Sequence, residues 1–363
     1  MADHRDEQRE NGVLPSIVPT WGWGYDWGNG PDWTSTIAII PWELYQFYGD
    51  DRALEEMYLP LKKYVDHITE VSHENGLTDW GLGDWVPVKS KTPKELTSSI
   101  YYFVDATILS KAALHFGHTK DHKHYQKLAD DLKIAINKKY LNSETGIYGS
   151  GFQTELSAAL YWGLVPDQLE KKVANNLAEA VKAANNHIDV GLLGTRTILG
   201  ALSKYGHADL AYQVASQETY PSWGWWIVNG ATTLYENWDI NASSDISRNH
   251  IMFGALSGWL YSGIGGILKD EQAPGFKNVI LKPHFVEGLS EFEASHHGPF
   301  GEIVSKWKKK GSQLEYQVTI PPNSTGSVYL EAKPTSLNGK KIKTTLGSGF
   351  ALESGTHTFI IED

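Results

Sequence analysis

Cysteine is missing from this 363-residue chain, which removes disulfides, thiolate metal sites and cysteine nucleophiles from consideration and leaves the redox compartment open. Positive charge is also in short supply. The 32 Lys and Arg are outnumbered by 43 Asp and Glu, a net charge of −11, and no basic stripe interrupts that balance, so a nucleic-acid partner is excluded. No apolar run approaches the roughly 20 residues that span a bilayer. The opening MADHRDEQRENG is polar and charged rather than signal-like. The chain therefore reads as soluble, with no membrane partner; compartment and oligomeric state are left open. Its length fits one large domain followed by a smaller one.

What is present divides near Leu268. Before it, apolar residues recur at spacings of three and four, which predicts helices over Ser35 to Tyr48, Leu54 to His73, Thr97 to Phe116, Asp121 to Tyr140, Thr154 to Tyr161, Leu169 to Ala184, Leu192 to Tyr205, Ala208 to Ser216 and Asn249 to Tyr261. Gly49 and Gly117 punctuate helix ends, and Ser35 and Thr119 are candidate N-caps. After it come short alternating runs, NVILKPH, EIVSKWK, LEYQVTI, GSVYLEA and HTFIIE, separated by turn residues such as Pro321, Pro322, Asn323 and Gly326. The expected fold is mainly α over residues 1–267, with helical hairpins packed in a ring or a plain bundle, and an antiparallel β-sandwich over 268–363. No short repeat marks a regular solenoid.

The most informative segment is YPSWGWWIVNGATTLYENWD, Tyr220 to Asp239, which crowds tryptophans, tyrosines, acids and glycines together. Indole faces stack on the C–H faces of pyranose rings, and a carboxylate among aromatics has its acidity set by burial and hydrogen bonds. The segment reads as a sugar site with Glu236 as the acting acid, although a Glu of this kind also serves as a capping or salt-bridging residue. Trp223 and Trp225 are candidate subsite aromatics; Trp226 or Trp238 can equally be core.

Several blocks together resemble the α-L-rhamnosidases of glycoside hydrolase family 78: DWGNGPDWTSTIAIIPWELYQFYGD, LGDWVP, YPSWGWW, GATTLYENWD, RNHIMFGALSGWLYSGIGGI and PGFKNVILKPHF. They run in the family's order over essentially the whole chain. The resemblance implies an (α/α)6 toroid of six helical hairpins with a closing β-sandwich, inverting hydrolysis of terminal α-L-rhamnosyl groups, and a rhamnose-containing glycoside or polysaccharide as substrate. An inverting glycosidase needs two carboxyl groups about 6.5 to 9.5 Å apart, an acid for the leaving oxygen and a base for water. By resemblance Glu236 holds the base position.

The same resemblance suggests other site residues. Asp32 and Trp33 of GPDWTST would line the rhamnose pocket, Asp32 accepting sugar hydroxyls, unless it caps the Ser35 helix. Asp84 and Trp85 of GDW match a pocket loop, with Trp85 as a stacking wall and a plain turn as the alternative. His250 corresponds to a histidine near the sugar, donating to a hydroxyl or orienting Glu236; a buried structural histidine is the other reading. Trp42 either reaches the pocket or seals the packing beneath it. Asp79 and Trp80 repeat the Asp-Trp pair without matching.

One part of the family pattern is not found. The acid block, Asp-Cys-Pro-x-Arg-Glu followed by Gly-Trp-x-Gly-Asp, has no counterpart, and Glu7 in Arg5-Asp6-Glu7 is a decoy, expected to be a solvated charge at a helix end. The chain is accordingly expected to be N-terminally truncated, to supply the base without the acid, and to be weakly active or inactive alone. Two other functions compete with this one: a polysaccharide lyase using Tyr235 or His250, with only Arg248 to neutralise a uronate, and a non-catalytic carbohydrate-binding fragment. No cofactor is implied. His115, His118, His122 and His124 form no metal box and are expected to be exposed, no calcium loop is apparent, and GWGYDWGNGP and SGIGGI lack the phosphate-loop context.

Overall fold

The computed structural model describes residues 1–343, 347 and 349–362. Its helices in chain order are α1 (Ala2–Glu7), α2 (Pro31–Thr34), α3 (Thr36–Tyr48), α4 (Arg52–Val71), α5 (Lys94–His115), α6 (Thr119–Tyr140), α7 (Gln153–Tyr161), α8 (Glu170–Ala183), α9 (Leu192–Lys204), α10 (Ala208–Ala215), α11 (Trp223–Val228) and α12 (Ala255–Trp259).

Two kinds of helix alternate, and the difference is written in their side chains. Along α5, from Leu96 to Ala113, only Thr107 and Lys111 escape full burial, so this helix is surrounded by protein on all sides. In α6 the buried residues are Tyr125, Ala129, Leu132 and Ile136, a single stripe at spacings of four, three and four. Such a helix can cover only one neighbour. α5 accordingly sits in an inner row with α3, α7, α9 and α12, while α4, α6, α8 and α10 pack outside it. This is the helical-hairpin toroid expected from the sequence, followed by the expected β domain.

Two details depart from the sequence reading. Ser35 stands at the N-cap position of α3 but makes no side-chain cap, its Oγ donating instead toward Pro31 O or Asp105 Oδ2, and His118 rather than Thr119 holds the cap position of α6. The last predicted helix, Asn249 to Tyr261, is three pieces, a 3-10 turn at Ile251–Phe253, then α12, then a π-helical turn at Leu260–Ile264. Glycine is the physical reason for the widened last turn. A Cβ on Gly263 would lie 2.4 Å from Trp259 Nε1, so only glycine lets that indole cross the turn and donate to Ser203 Oγ at 2.9 Å.

Strands β1 (Leu141–Asn142) and β2 (Ile147–Tyr148) form a small ribbon between α6 and α7. The remainder, β3 (Ile267–Lys269), β4 (Asn278–Leu281), β5 (Glu291–Gly298), β6 (Gly301–Lys310), β7 (Gln313–Ile320), β8 (Thr325–Tyr329), β9 (Pro334–Leu337), β10 (Lys340–Lys341), β11 (Gly349–Leu352) and β12 (Gly355–Glu362), build two facing sheets. One is antiparallel in the order β10-β9-β12-β7-β6-β5; the other runs β11-β8-β4-β3. In β6 the alternation buries Ile303, Ser305 and Trp307 and exposes Lys306 and Lys308. The second sheet is not wholly antiparallel. β4 and β8 pair in parallel, because the chain between them crosses to the other sheet to make β5, β6 and β7 before it returns. Phe47 of α3 meets Phe276 edge-on at 5.6 Å, and Ser305 Oγ donates to Gly265 O at 2.5 Å, which ties the β domain to the helices.

Candidate active site

Three loops meet at one end of the inner helices: residues 28–35 leading into α2 and α3, residues 80–86 before α5, and residues 229–250 after α11. Gly30 makes the first approach possible. Its φ is 131°, and a Cβ there would sit 2.1 Å from Trp80 O, so no larger residue lets these loops touch.

The two aspartates predicted to meet sugar are the bolts that hold these loops. Asp32 Oδ1 accepts from Leu82 N at 3.1 Å, and Oδ2 from Gly83 N at 2.8 Å, Thr97 Oγ1 at 3.1 Å and Ser98 Oγ at 3.2 Å. Asp84 Oδ1 accepts from Leu193 N at 2.8 Å and Gly194 N at 3.2 Å, and Oδ2 from Gly191 N at 2.9 Å and Thr154 Oγ1 at 2.6 Å. Asp84 is thus the N-terminal cap of α9, supplied from a remote loop where Gly191 offers no side chain of its own. Burial raises the pKa of both carboxyls, and their hydrogen bonds oppose that rise. Four protein donors converge on each carboxylate, so Asp32 and Asp84 both hold these loops together in addition to the sugar contacts expected of them. Asp32 does not cap the Ser35 helix either; it lies inside α2.

Much of the aromatic-rich segment is likewise structural. Trp223, Trp226 and Trp238 are buried. Trp226 and Trp238 stack at 4.7 Å, and Phe253 closes on Trp238 at 4.4 Å. Each indole N–H finds a backbone carbonyl: Trp223 donates to Phe253 O at 3.0 Å, Trp226 to Asn237 O at 3.1 Å, and Trp238 to Val190 O at 2.9 Å. Trp223 is therefore a floor plank rather than a subsite wall, because both its ring face and its donor are used internally. The segment also begins as a helix, α11, capped where Ser222 Oγ accepts from Trp225 N at 2.9 Å. Trp225 is half-buried, edge-on to Tyr220 at 6.3 Å. Trp42 belongs to the core of α3, packed on Tyr45 at 5.7 Å with Lys111 Nζ 5.6 Å from its ring, which corrects its inclusion among pocket residues.

Above that floor stands Glu236, half-buried. Its backbone N–H donates to Ser247 O at 2.9 Å, and Ser247 N returns a bond to Glu236 Oε2 at 3.2 Å. Trp85 Nε1 approaches Oε1 at 3.5 Å across 151 residues of sequence. Trp33 stands perpendicular to Trp85 at 6.0 Å and donates to Gly83 O at 3.4 Å. Directly after Trp85, Val86 has φ 52°, a left-handed conformation that β-branched residues rarely take. It is held there by Leu192 N donating to Trp85 O at 2.9 Å and by the Asp84 cap. His250 N donates to Leu234 O at 2.9 Å, and its Nδ1 accepts from Met252 N at 3.4 Å, which leaves the ring proton on Nε2 in the neutral form. Its ring serves the 3-10 turn rather than Glu236.

Ser247 gave no signal in the sequence, because its bond to Glu236 depends on how a long loop folds back. Glu7 differs from its expected solvated state: it ends α1, and Tyr25 Oη donates to its backbone O at 2.7 Å or its Oε2 at 3.0 Å. His122 is half-buried on Ser110, whereas His115, His118 and His124 are exposed. Among the described residues no three His, Asp or Glu side chains converge as a metal site, and no helix is long and apolar enough to cross a membrane.

Comparison with known proteins gives this geometry a family. Residues 1–264 match the bacterial α-L-rhamnosidase six-hairpin glycosidase domain, and residues 266–345 match the bacterial α-L-rhamnosidase C-terminal domain. An α-L-rhamnosidase of Streptomyces avermitilis is 29% identical over 377 residues, covering 99% of this chain and 36% of the relative. Its crystal structure complexed with L-rhamnose superposes with a TM-score of 0.89 at 28% identity, covering 99% of this chain and 36% of that one. The α-L-rhamnosidase structure from Dictyoglumus thermophilum gives a TM-score of 0.90 at 32% identity, covering 100% of this chain and 43% of that one. The chain thus spans less than half the length of these relatives. With both domain families matched in order and the fold shared throughout, this chain belongs to the bacterial α-L-rhamnosidase family of glycoside hydrolases.

Proposed function

We propose that residues 1–267 form a catalytic domain, closed by a β-sandwich domain over 268–363, and that the chain supplies the general base for inverting hydrolysis of terminal α-L-rhamnosyl groups. The observation that carries this reading is the contrast among carboxylates at the loop mouth. Asp32 and Asp84 each accept four protein hydrogen bonds, whereas Glu236 accepts two, one on each oxygen. Glu236 therefore keeps lone pairs for a water molecule.

In this mechanism the sugar lies against Trp33 and Trp85, whose indoles cover its apolar C–H surface. Glu236 accepts a proton from water as the oxygen attacks the anomeric carbon on the face opposite the leaving group. The Trp85 and Ser247 N–H groups hold the carboxylate in place during that transfer. His250 Nε2–H is the donor offered to a sugar hydroxyl. Protonation of the leaving oxygen needs a second carboxyl group; Asp32 and Asp84 are committed to backbone and hydroxyl donors, so neither is that acid.

An activated substrate separates the two roles, since a good leaving group departs without a proton. The chain should hydrolyse 2,4-dinitrophenyl α-L-rhamnoside with release of the β anomer, while an alkyl α-L-rhamnoside reacts far more slowly. Glu236→Gln should lower kcat on the activated substrate by about 10²- to 10⁴-fold. An unchanged rate in the Gln variant, or release of the α anomer seen by NMR, overturns the assignment.

A further inference from the structure

The loop Trp21 to Trp27 has no part in the mechanism above, yet it presents the only strongly exposed tryptophans among the described residues. Trp21 is 91% exposed, Trp23 53% and Trp27 39%; every other tryptophan is buried or half-buried. Leaving indole faces in water forfeits the stabilisation that burying them brings elsewhere in this chain. The loop is nonetheless well anchored. Thr20 Oγ1 donates to Gly24 O at 2.8 Å, Ser16 Oγ donates to Trp27 O at 2.8 Å, and Tyr25 Oη donates to Glu7 O at 2.7 Å while the Arg9 guanidinium lies 3.9 Å from the Tyr25 ring centre. Trp23 and Trp27 meet at 45° with centroids 4.8 Å apart, making an angled aromatic pair rather than a collapsed stack.

Tyr25, Asp26 and Gly28 of the same loop, the residues flanking Trp27, line a cavity of about 630 Å³ whose other walls include Arg9, His67, Asp79 and Lys94. Planar polar groups beside exposed ring faces are the combination that recognises a sugar, hydroxyls meeting the first and C–H faces the second. The loop's position links it to Glu236. A Cβ on Gly28 would lie 3.5 Å from Leu82 Cδ2, and Leu82 is three residues before Trp85, so at full extension their Cα atoms are at most about 11 Å apart. Resting on the proposed rhamnosidase reading, we propose that Trp23 and Trp27, with the Arg9–Asp26 cavity, form a subsite for the saccharide unit on the leaving-group side of the rhamnose, so that the chain selects oligosaccharide glycosides over small ones. Pre-anchoring matters here, because a loop already in place loses little freedom when the ligand arrives.

The test is calorimetric titration of the chain with L-rhamnose, with an α-linked rhamnose tetrasaccharide, and with p-nitrophenyl α-L-rhamnoside. The tetrasaccharide should bind about tenfold more tightly than L-rhamnose, as two aromatic stacking contacts imply. The double variant Trp23→Ala/Trp27→Ala should erase that gain and leave the L-rhamnose affinity unchanged; Trp27→Phe should retain part of it. Equal affinity of wild type for tetrasaccharide and monosaccharide overturns the subsite, as does a double variant with undiminished tetrasaccharide affinity. A gain seen only with the p-nitrophenyl glycoside overturns the saccharide assignment in favour of an aryl group. If L-rhamnose fails to bind while the tetrasaccharide still depends on Trp23 and Trp27, the subsite stands and the Glu236 pocket is the part that falls.

Discussion

Two aromatic-rich stretches of this chain look alike on paper and behave oppositely in three dimensions. Trp223, Trp226 and Trp238 turn inward, pack on one another and on Phe253, and spend their N–H groups on backbone carbonyls. From Trp21 to Trp33, and again at Trp85, the rings stand at or near the surface and line loops. The first stretch is a platform that sets the height and direction of Glu236. The second supplies faces that a ligand can touch. An abundance of tryptophan thus marks a place where a loop must be held rigid as readily as a place where a sugar sits. Exposure and the fate of the indole N–H tell the two apart.

The sharpest way to break this comparison is to remove one plank of the platform. Trp238→Ala should cost about 3–5 kcal/mol of stability, measured by denaturant unfolding, since it removes a stacked ring and the indole donor to Val190 O. A loss below about 1 kcal/mol would mean the stack is decoration, on the usual scale of core truncations.

Trp85→Ala should do the reverse. Affinity for L-rhamnose should fall about fivefold or more, near 1 kcal/mol, while unfolding midpoints move far less than in Trp238→Ala. Should the stability losses prove equal and sugar affinity stay unchanged, Trp85 belongs with the platform and the division between the two stretches fails.

The carboxyls extend the comparison, with Glu236 at the mouth, Asp32 and Asp84 in loop-holding brackets, and Asp105 deep in α5. Asp105 is fully buried, its Oδ1 lacks a partner, and burial pushes its pKa well above the ordinary range. A group that binds its proton more tightly when folded loses stability as pH rises from about 3.9, where the unfolded carboxyl ionises, up to the folded pKa. Each unit of that rise corresponds to about 1.4 kcal/mol. Asp105→Asn should therefore match wild type near pH 3.5 and exceed it in Tm at neutral pH, because the uncharged amide oxygen can accept the bond that Ser35 Oγ donates to Asp105 Oδ2. Thermal unfolding across pH checks this; parallel curves for the two proteins would show that Asp105 is ionised in the fold.

The architecture was largely readable. Helices over α4, α5, α6 and α9 follow from apolar spacing to within a turn at each end, and the strands of β6 and β7 follow from alternation. Where the reading slipped, the cause was specific. Glycine-rich Arg248 to Ile267 kept a helical pattern but broke into 3-10, α and π turns because Gly263 and its neighbours admit close side-chain crossings. α11 escaped because its short apolar run resembles a binding loop until Ser222 is seen capping it.

At the site the division is cleaner still. By itself the sequence determined that this is an acidic, cysteine-free chain of amphipathic helices and alternating strands, with several carboxylates, Glu236 among them, set beside aromatics. Those properties are local, readable within a turn of helix or a pair of strand residues. Tertiary structure alone decided which acids were already satisfied and which rings faced outward. Asp84 is held by donors as far as 110 residues away and Trp85 reaches Glu236 across 151. Lone pairs and ring faces are claimed by whatever the fold brings within about 3 Å, and no short stretch of sequence records that neighbour.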